Sequence, residues 1–289
     1  MKVCVTGAAG FIGQHVCRAL REAKHEILAL DARSPADYWD AWKPWDITQS
    51  MGSLGALDAV IHLAAMANPR ECDANPASAF NVNVNGTLQV LKMALASGAK
   101  KVVFSSSAHV YGISPRFLPT PETHPLTLGN TYTTTKILGE QLCQAYFENH
   151  GLSYTTLRLF NAYGKGQGLG YYIPDQIAKA KAGKIDLQGS DVTKDWVHVS
   201  DVADAFVKAL NSSFCGPINI GTGTQTNLGT IARFIADAYG VELITHPAEK
   251  PTYMQSDSRR AGSILSWHPA LDVFEGLREV VEVPMRAVA

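Results

Sequence analysis

Cysteine is scarce in this chain, and what there is of it is poorly arranged for cross-linking. Its 289 residues include five cysteines (Cys4, Cys17, Cys72, Cys143 and Cys215), an odd number, widely spaced and without a Cys-x-x-Cys pair. That pattern speaks against a disulfide framework or a zinc site and fits reduced thiols in apolar settings, so no metal and a cytoplasmic compartment are expected. Long apolar runs are missing as well: none reaches the ~20 residues of a membrane span, and the N-terminus enters a strand without the regions of a signal peptide. A soluble protein with no membrane partner is expected. Charge of one sign is also lacking, because 25 Lys and Arg against 26 Asp and Glu leave a net charge of −1. Nothing there suggests a polyanion, and nucleic acid is disfavoured. No internal repeat or low-complexity linker divides the chain.

What is present is an alternation. Short apolar, β-rich runs (KVCVTG, EILALD, LDAVIHLA, KVVFSSS, LSYTTLRLF) are separated by helical patterns near 11–24, 76–98 and 131–149. Such alternation predicts an α/β fold with a doubly wound parallel sheet. After Gly164 the pattern becomes irregular: a glycine-rich loop (GKGQGLG), a helix near 175–182, a strand then a helix in DWVHVSDVADAFVKAL, a helix near 228–239, a short strand near 242–245 and a terminal helix near 273–283. With no linker, a smaller C-terminal substrate domain interleaved with the larger one is expected. The larger, dinucleotide-binding domain spans 1–164 and 196–222, and the smaller spans 165–195 and 223–289.

Three features carry chemistry. The first strand runs into TGAAGFIG, with Gly7, Gly10 and Gly13 three residues apart at each step, and then into a helix. Glycines there permit a tight turn and close backbone approach, and free amides at the helix start attract a pyrophosphate. Asp31 closes the second strand about 20 residues on, where a carboxylate can accept hydrogen bonds from adenosine ribose hydroxyls and repel a 2′-phosphate. NAD is thereby favoured over NADP, although Arg33 lies near enough to contact such a phosphate. The third feature is Tyr132 with Lys136, four residues apart on a predicted helix and hence on one face, roughly 5–6 Å apart. A phenol titrates near 10 and a general base works best near neutrality, so a neighbouring ammonium that favours tyrosinate would make Tyr132 a base. Ser107, third in the SSS run at a strand end, can hydrogen-bond the same reacting oxygen.

These residues, with WDIT around Asp46, HLAA at 62–65, NVNGT at 83–87, RLFNAYGKGQ at 158–167, KDWVHVSDVADA at 194–205, NIGTG at 219–223 and SWHP at 266–269, resemble the extended short-chain dehydrogenase/reductases, in the NAD-dependent epimerase/dehydratase branch acting on nucleotide sugars. The resemblance covers nearly the whole chain. It implies a Rossmann-like fold, NAD as cofactor, Ser107, Tyr132 and Lys136 as the catalytic set, and a homodimer built on the helices near 83–98 and 131–149. It implies cofactor contacts at Gly7, Gly10, Phe11, Ile12 and Gly13 for the pyrophosphate and at Asp31 for the ribose. Asp46 and Ile47 are implied near the adenine, and Leu63, Ala64, Ala65, Asn83 and Phe160 on the nicotinamide side, with Ser105, Tyr132 and Lys136 beside the cofactor. Met66 and Ala67 follow the HLAA segment, so the extra lysine of some related epimerases is not expected.

On the substrate side the resemblance implies Ser107, His109, Tyr132, Asn161 and Lys194. Ala108 and His109 stand where dehydratases and decarboxylases of the family commonly carry an Asp or Glu. That absence weighs against loss of water or carbon dioxide and favours an epimerase or a ketoreductase. Two departures fall at the phosphate end: Lys194 replaces an arginine, keeping charge without the two-pronged guanidinium, and THPAEKPTYMQ offers His246 and Lys250 where another arginine is expected. The function expected is a nucleotide-sugar (UDP-hexose-like) 4-epimerase working through a 4-keto intermediate. The alternatives are an NAD(P)-dependent sugar dehydrogenase or ketoreductase with net redox and, less favoured, a dehydratase, a decarboxylase or a non-enzymatic NAD-sensing protein.

Overall fold

A computed structural model describes residues 1–33 and 41–281. In chain order the first half runs β1 (Lys2–Thr6), α1 (Phe11–Glu22), β2 (Glu26–Asp31), β3 (Ala41–Pro44), β4 (Ala59–His62), α2 (Pro69–Ala74), α3 (Pro76–Phe80), a π-helical turn (Asn81–Asn85), α4 (Gly86–Ala96), β5 (Lys101–Ser107), a 3-10 turn (Ala108–Tyr111), α5 (Thr131–His150) and β6 (Ser153–Leu159). The second half adds β7 (Asn161–Tyr163), α6 (Tyr172–Lys181), β8 (Lys184–Gln188), β9 (Thr193–His198), α7 (Val199–Leu210), β10 (Gly216–Ile220), β11 (Gln225–Asn227), α8 (Leu228–Tyr239), β12 (Glu242–His246), α9 (Arg259–Leu265) and α10 (Val273–Val280). The terminal helix expected near 273–283 thus ends at Val280, and residues 282–283 of that expectation lie outside the described residues, as do 282–289 of the expected smaller domain.

Seven strands form one wholly parallel sheet in the order β10-β6-β5-β4-β1-β2-β3. The chain starts in the middle, at β1, winds outward to β2 and β3, and then reverses through β4. Covering both faces lets the strands be apolar almost throughout, as in VVF of β5 and VCV of β1. On one face Val16 and Leu20 of α1, Phe206 of α7 and Trp267 pack against Val3, Ile27 and Leu157. On the other, Leu91 and Met93 of α4 and Cys143 of α5 pack against Cys4, Val60 and Val102. Each such side chain removed from water contributes ~1.5–3 kcal/mol.

Two smaller sheets lie outside this one. β9 pairs parallel with β7 and antiparallel with β11, and β8 pairs parallel with β12. Their core gathers Tyr163, Ile173, Ile185, Trp196, Ile231 and Leu277.

The structure adds α2, β7, β8, β10, β11 and α9 to the elements read from the sequence, and two further differences concern the helix over 76–98 and the sheet edge. The helix expected over 76–98 is three pieces, because the π-helical turn at Asn81–Asn85 interrupts it. The extra residue turns Asn83 inward, where it is buried and fully hydrogen-bonded. β3 had no apolar signal: all four of its residues are exposed at the sheet edge.

Candidate active site

The carboxyl ends of β1, β2, β4, β5 and β6 line up because the strands are parallel and paired in register, with Thr6 opposite both Leu30 and His62, and Ser107 opposite Leu159. β1 and β4 are the pair at which the winding reverses, so the crevice opens there. Gly7 follows β1 with φ +71° and donates its N–H to the Leu30 carbonyl at 2.9 Å. A Cβ at Gly7 would come within 2.5 Å of the Ala64 nitrogen, and one at Gly13 would collide with the Gly7 carbonyl oxygen. Only glycine lets β1, the turn and α1 close up this far. Gly10 is the N-cap of α1 and brings no side-chain cap, and no acid occupies the first turn. The amides of Phe11, Ile12 and Gly13 therefore open the helix without an internal acceptor, which suits an anion.

Asp31 ends β2 and is buried. Its carboxylate accepts from Ala9 N and Arg33 N, both at 2.9 Å, so it is held at the lip of the glycine turn. Trp45 N donates to the Asp31 carbonyl at 3.1 Å, which brings Asp46 and Ile47 alongside. Asp46 is exposed and caps Thr48, while Ile47 is buried against Gly86. An uncapped helix start, a carboxylate about 20 residues on and a turn whose glycines leave no Cβ in the way fit a dinucleotide.

The proton-handling side is built from β5 and α5. Asn130 caps α5 by accepting from Thr133 N at 2.9 Å, Asp73 accepts from Thr131 N at 2.9 Å, and Gly151 closes the far end in the left-handed conformation. Tyr132 and Lys136 then share one face, and both are buried. Ser107 accepts from His109 N at 3.2 Å and lies near enough to Tyr132 to act on its phenol. Lys136 Nζ donates to the Ser105 carbonyl at 2.8 Å and lies 5.8 Å from the centre of the Tyr132 ring. The His109 ring meets the Tyr132 ring edge-on, centroids 6.1 Å apart. Thus Ser105, Ser107, His109, Tyr132 and Lys136 come together.

The electrostatics depart from the expectation of a ready tyrosinate. In the protein alone, burial pushes the Tyr132 phenol above its usual value, the Ser107 hydrogen bond pulls it part-way back, and the nearby Tyr171 and Cys72 raise it again. Burial also lowers Lys136 to about 8, against the opposing pull of Cys72, Glu140 and Cys143. Desolvation disfavours both charged forms, and the ammonium spends its hydrogen bond on a main-chain oxygen. His109 is lowered to about 4, first by burial and then by Lys194, and is neutral at physiological pH. Its Nδ1 is buried with no hydrogen-bond partner.

The other sequence candidates spread around this centre. Leu63, Ala64 and Ala65 follow β4 and are half-buried beside the glycine turn. Asn83 reaches neither a strand end nor open space: it bonds Met66 N and O at 2.8 and 3.0 Å and Thr135 Oγ1 at 2.9 Å, tying the loop after β4 to α5. Phe160 is buried with Val110, Tyr111, Ile137 and Met254. Asn161 opens β7, and its Nδ2 donates to the Asp195 carbonyl at 3.0 Å. Lys194, in β9, is half-buried. Two neighbours escaped the sequence reading. Tyr171, at the N-cap of α6, faces Tyr132 across the cleft, and no periodicity marks it. Glu140 is one helical turn beyond Lys136, and its i+8 spacing from Tyr132 was a signal that could have found it.

A doubly wound sheet with an anion-ready glycine turn beside a buried Ser-Tyr-Lys cluster defines a dinucleotide-binding α/β enzyme. The profile of the NAD dependent epimerase/dehydratase family matches residues 3–221, and the chain belongs to that family of enzymes, whose cofactor is NAD. It is 31% identical over 313 residues to UDP-glucose 4-epimerase of Mycolicibacterium smegmatis, covering 98% of both chains. It is 29% identical over 303 residues to UDP-glucuronic acid decarboxylase 5 of Arabidopsis thaliana, covering 96% of this chain and 87% of that one. Among solved structures, MoeE5 in complex with UDP-glucose and NAD superposes with a TM-score of 0.90 at 27% identity, covering 98% of each chain. Among the described residues no helix is long and apolar enough to cross a membrane.

Proposed function

We propose that this protein is a nucleotide-sugar 4-epimerase, acting on a UDP-hexose-like substrate through a 4-keto intermediate. The observation that carries the reading is the buried cluster itself: Ser107 near enough to the Tyr132 phenol to pull it down, Lys136 on the same helical face, and Ala108 and His109 immediately after Ser107 in place of any carboxylate. Bound NAD supplies a cationic ring that accepts a hydride from the sugar carbon and later returns it. Tyr132 takes the hydroxyl proton as the carbinol becomes a ketone and gives it back when the carbinol re-forms, so no net oxidation results. Ser107 donates to the sugar oxygen and steadies it as charge develops. Lys136 holds the nicotinamide ribose and favours the ionised phenol.

In this reading residues 1–164 and 196–222 bind the dinucleotide, with contacts at Gly7, Gly10, Phe11, Ile12, Gly13, Asp31, Asp46, Ile47, Leu63, Ala64, Ala65, Asn83, Ser105 and Phe160, and residues 165–195 and 223–289 hold the sugar nucleotide. Asn161 and Lys194 serve its diphosphate and His109 its sugar. Two copies pair through α4 and α5, a proposal supported by Leu138 and Phe147 on α5, which are 37% and 40% exposed. The UDP-sugar 4-epimerases among the relatives support the epimerase reading, and the decarboxylases test it. Incubation with UDP-glucose, UDP-galactose and UDP-glucuronic acid should yield the C4 epimer with no change in nicotinamide absorbance and no carbon dioxide.

A second reading, a sugar dehydrogenase or ketoreductase with net redox, is favoured by the phosphate end. The Asn161 amide donor is already engaged, and the stretch from His246 to Lys250 brings no arginine. Stoichiometric reduction of added NAD by a sugar would establish it. Under the epimerase reading Lys194→Ala raises KM for the UDP-sugar with little effect on kcat.

A further inference from the structure

The serine run of β5 is gripped residue by residue from α5. The Ser105 carbonyl accepts from Lys136 Nζ at 2.8 Å, Ser107 is near enough to Tyr132 to pull its phenol down, and between them Ser106 Oγ donates to Glu140 Oε1 at 2.6 Å. Tyr132, Lys136 and Glu140 recur every four residues, so one stripe of the helix meets three successive positions of one strand. The helix can come this close because Gly139 faces Phe104: a Cβ there would come within 2.5 Å of the ring. Glu140 is itself anchored from below. Arg158 of β6 takes it in two prongs, Nε to Oε1 at 2.9 Å and an Nη to Oε2 at 2.6 Å, and both residues are buried. The other Nη of Arg158 donates to the Tyr111 hydroxyl at 2.9 Å, and Tyr111 donates to Asn219 Oδ1 at 2.6 Å. The chain of bonds therefore ties α5 to β5, β6, the 3-10 turn that bears His109, and β10.

We propose that Glu140, clamped by Arg158, is a positioning residue that sets the depth and charge state of Lys136 and the register of Tyr132 against Ser107. Its effect on turnover rests on the epimerase reading above; its effect on Lys136 does not. An ion pair buried this deeply stabilises a fold only weakly compared with an apolar replacement, so a role in fixing geometry better accounts for it. Several groups face Lys136: His62 from β4, Cys72 from α2, and Cys143 and Glu140 from α5 itself. Of these Glu140 is the carboxylate, and it acts to keep the lysine protonated against burial. Tyr132 is faced by Ser107, His109, Cys72 and Tyr171.

The test uses Glu140→Gln and Ser106→Ala in the full chain with NAD bound. In Glu140→Gln, loss of the anion and the unopposed Arg158 push Lys136 the same way, so its titration, followed by NMR of the lysine side chain assigned with Lys136→Met, should move down by about one unit or more. The basic limb of the kcat profile should move with it, and kcat should fall roughly tenfold with KM little changed. Ser106→Ala keeps the ion pair and hence the fold, and should lower kcat severalfold at full occupancy of the folded state. An unmoved Lys136 midpoint in folded Glu140→Gln overturns the proposal. If Glu140→Gln does not fold, an unchanged kcat in Ser106→Ala overturns it. A wild-type protein without activity on any nucleotide sugar would sink the epimerase reading and leave the Lys136 titration as the judge of this one.

Discussion

The Lys136 ammonium donates to the Ser105 carbonyl at 2.8 Å and lies 5.8 Å from the centre of the Tyr132 ring, while Ser107 is the residue of β5 that pulls the phenol down. The two side chains share a helical face, yet each is held by a different residue of β5. Lysine here orders the strand end, and burial keeps the phenol protonated in the protein alone.

Under the epimerase reading, replacing Tyr132 with Phe removes the hydroxyl that exchanges a proton with the sugar and leaves the ring in place. kcat should fall roughly 10²–10⁴-fold, the usual weight of a general acid–base. KM and the circular dichroism spectrum should be little altered. Retention of more than a tenth of wild-type kcat would remove Tyr132 from the reaction.

Lys136 makes stability depend on pH in a known sense. Burial lowers it to about 8 in the folded protein, against about 10.4 in an unfolded chain. Between those values the unfolded state binds more protons, so this group makes stability rise with pH across the window. Relative to wild type, Lys136→Met should show its largest gain in urea midpoint below about pH 8, shrinking toward pH 10. A gain that grows over that range would reverse the sign argued here.

Gly13→Ala should abolish NAD binding or folding. Its Cβ meets the Gly7 carbonyl oxygen and would also lie 2.8 Å from Ala8 Cα, so it contacts backbone that cannot swing away. Relief requires α1 to leave the turn, at a cost on the order of 1–3 kcal/mol or more. Calorimetry with NAD, beside a thermal melt, separates the two outcomes; wild-type affinity at wild-type stability would contradict the packing.

His109 is held neutral by burial and by Lys194, with its pKa lowered to about 4. The pH dependence of kcat/KM between about pH 5 and 8 should therefore keep its shape in His109→Gln, whatever happens to its height. An acid limb near pH 6.5 that disappears in the variant would show that this imidazole titrates in turnover.

Much of the site could be read from local spacing. Three-residue glycine steps, a carboxylate closing the second strand and a Tyr-x-x-x-Lys pair each depend on short-range geometry, which backbone stereochemistry sets. Partner choice could not be read in this way. Ser105, Ser106 and Ser107 look alike in sequence, and only the packing of α5 gives the first a lysine at its carbonyl, the second a carboxylate and the third a phenol. The amide of Asn83 is a similar case: its bonds to Met66 and Thr135 arise within a π-helical turn that no propensity forecasts.

The sequence by itself determined the alternating strands and helices, the glycine turn and the stripe that carries Tyr132, because periodicity and steric permission act between neighbours along the chain. Only the tertiary structure decided the protonation of that stripe and the anchoring of Glu140 by Arg158. Desolvation and long-range hydrogen bonds come into existence when segments far apart in sequence are buried against one another.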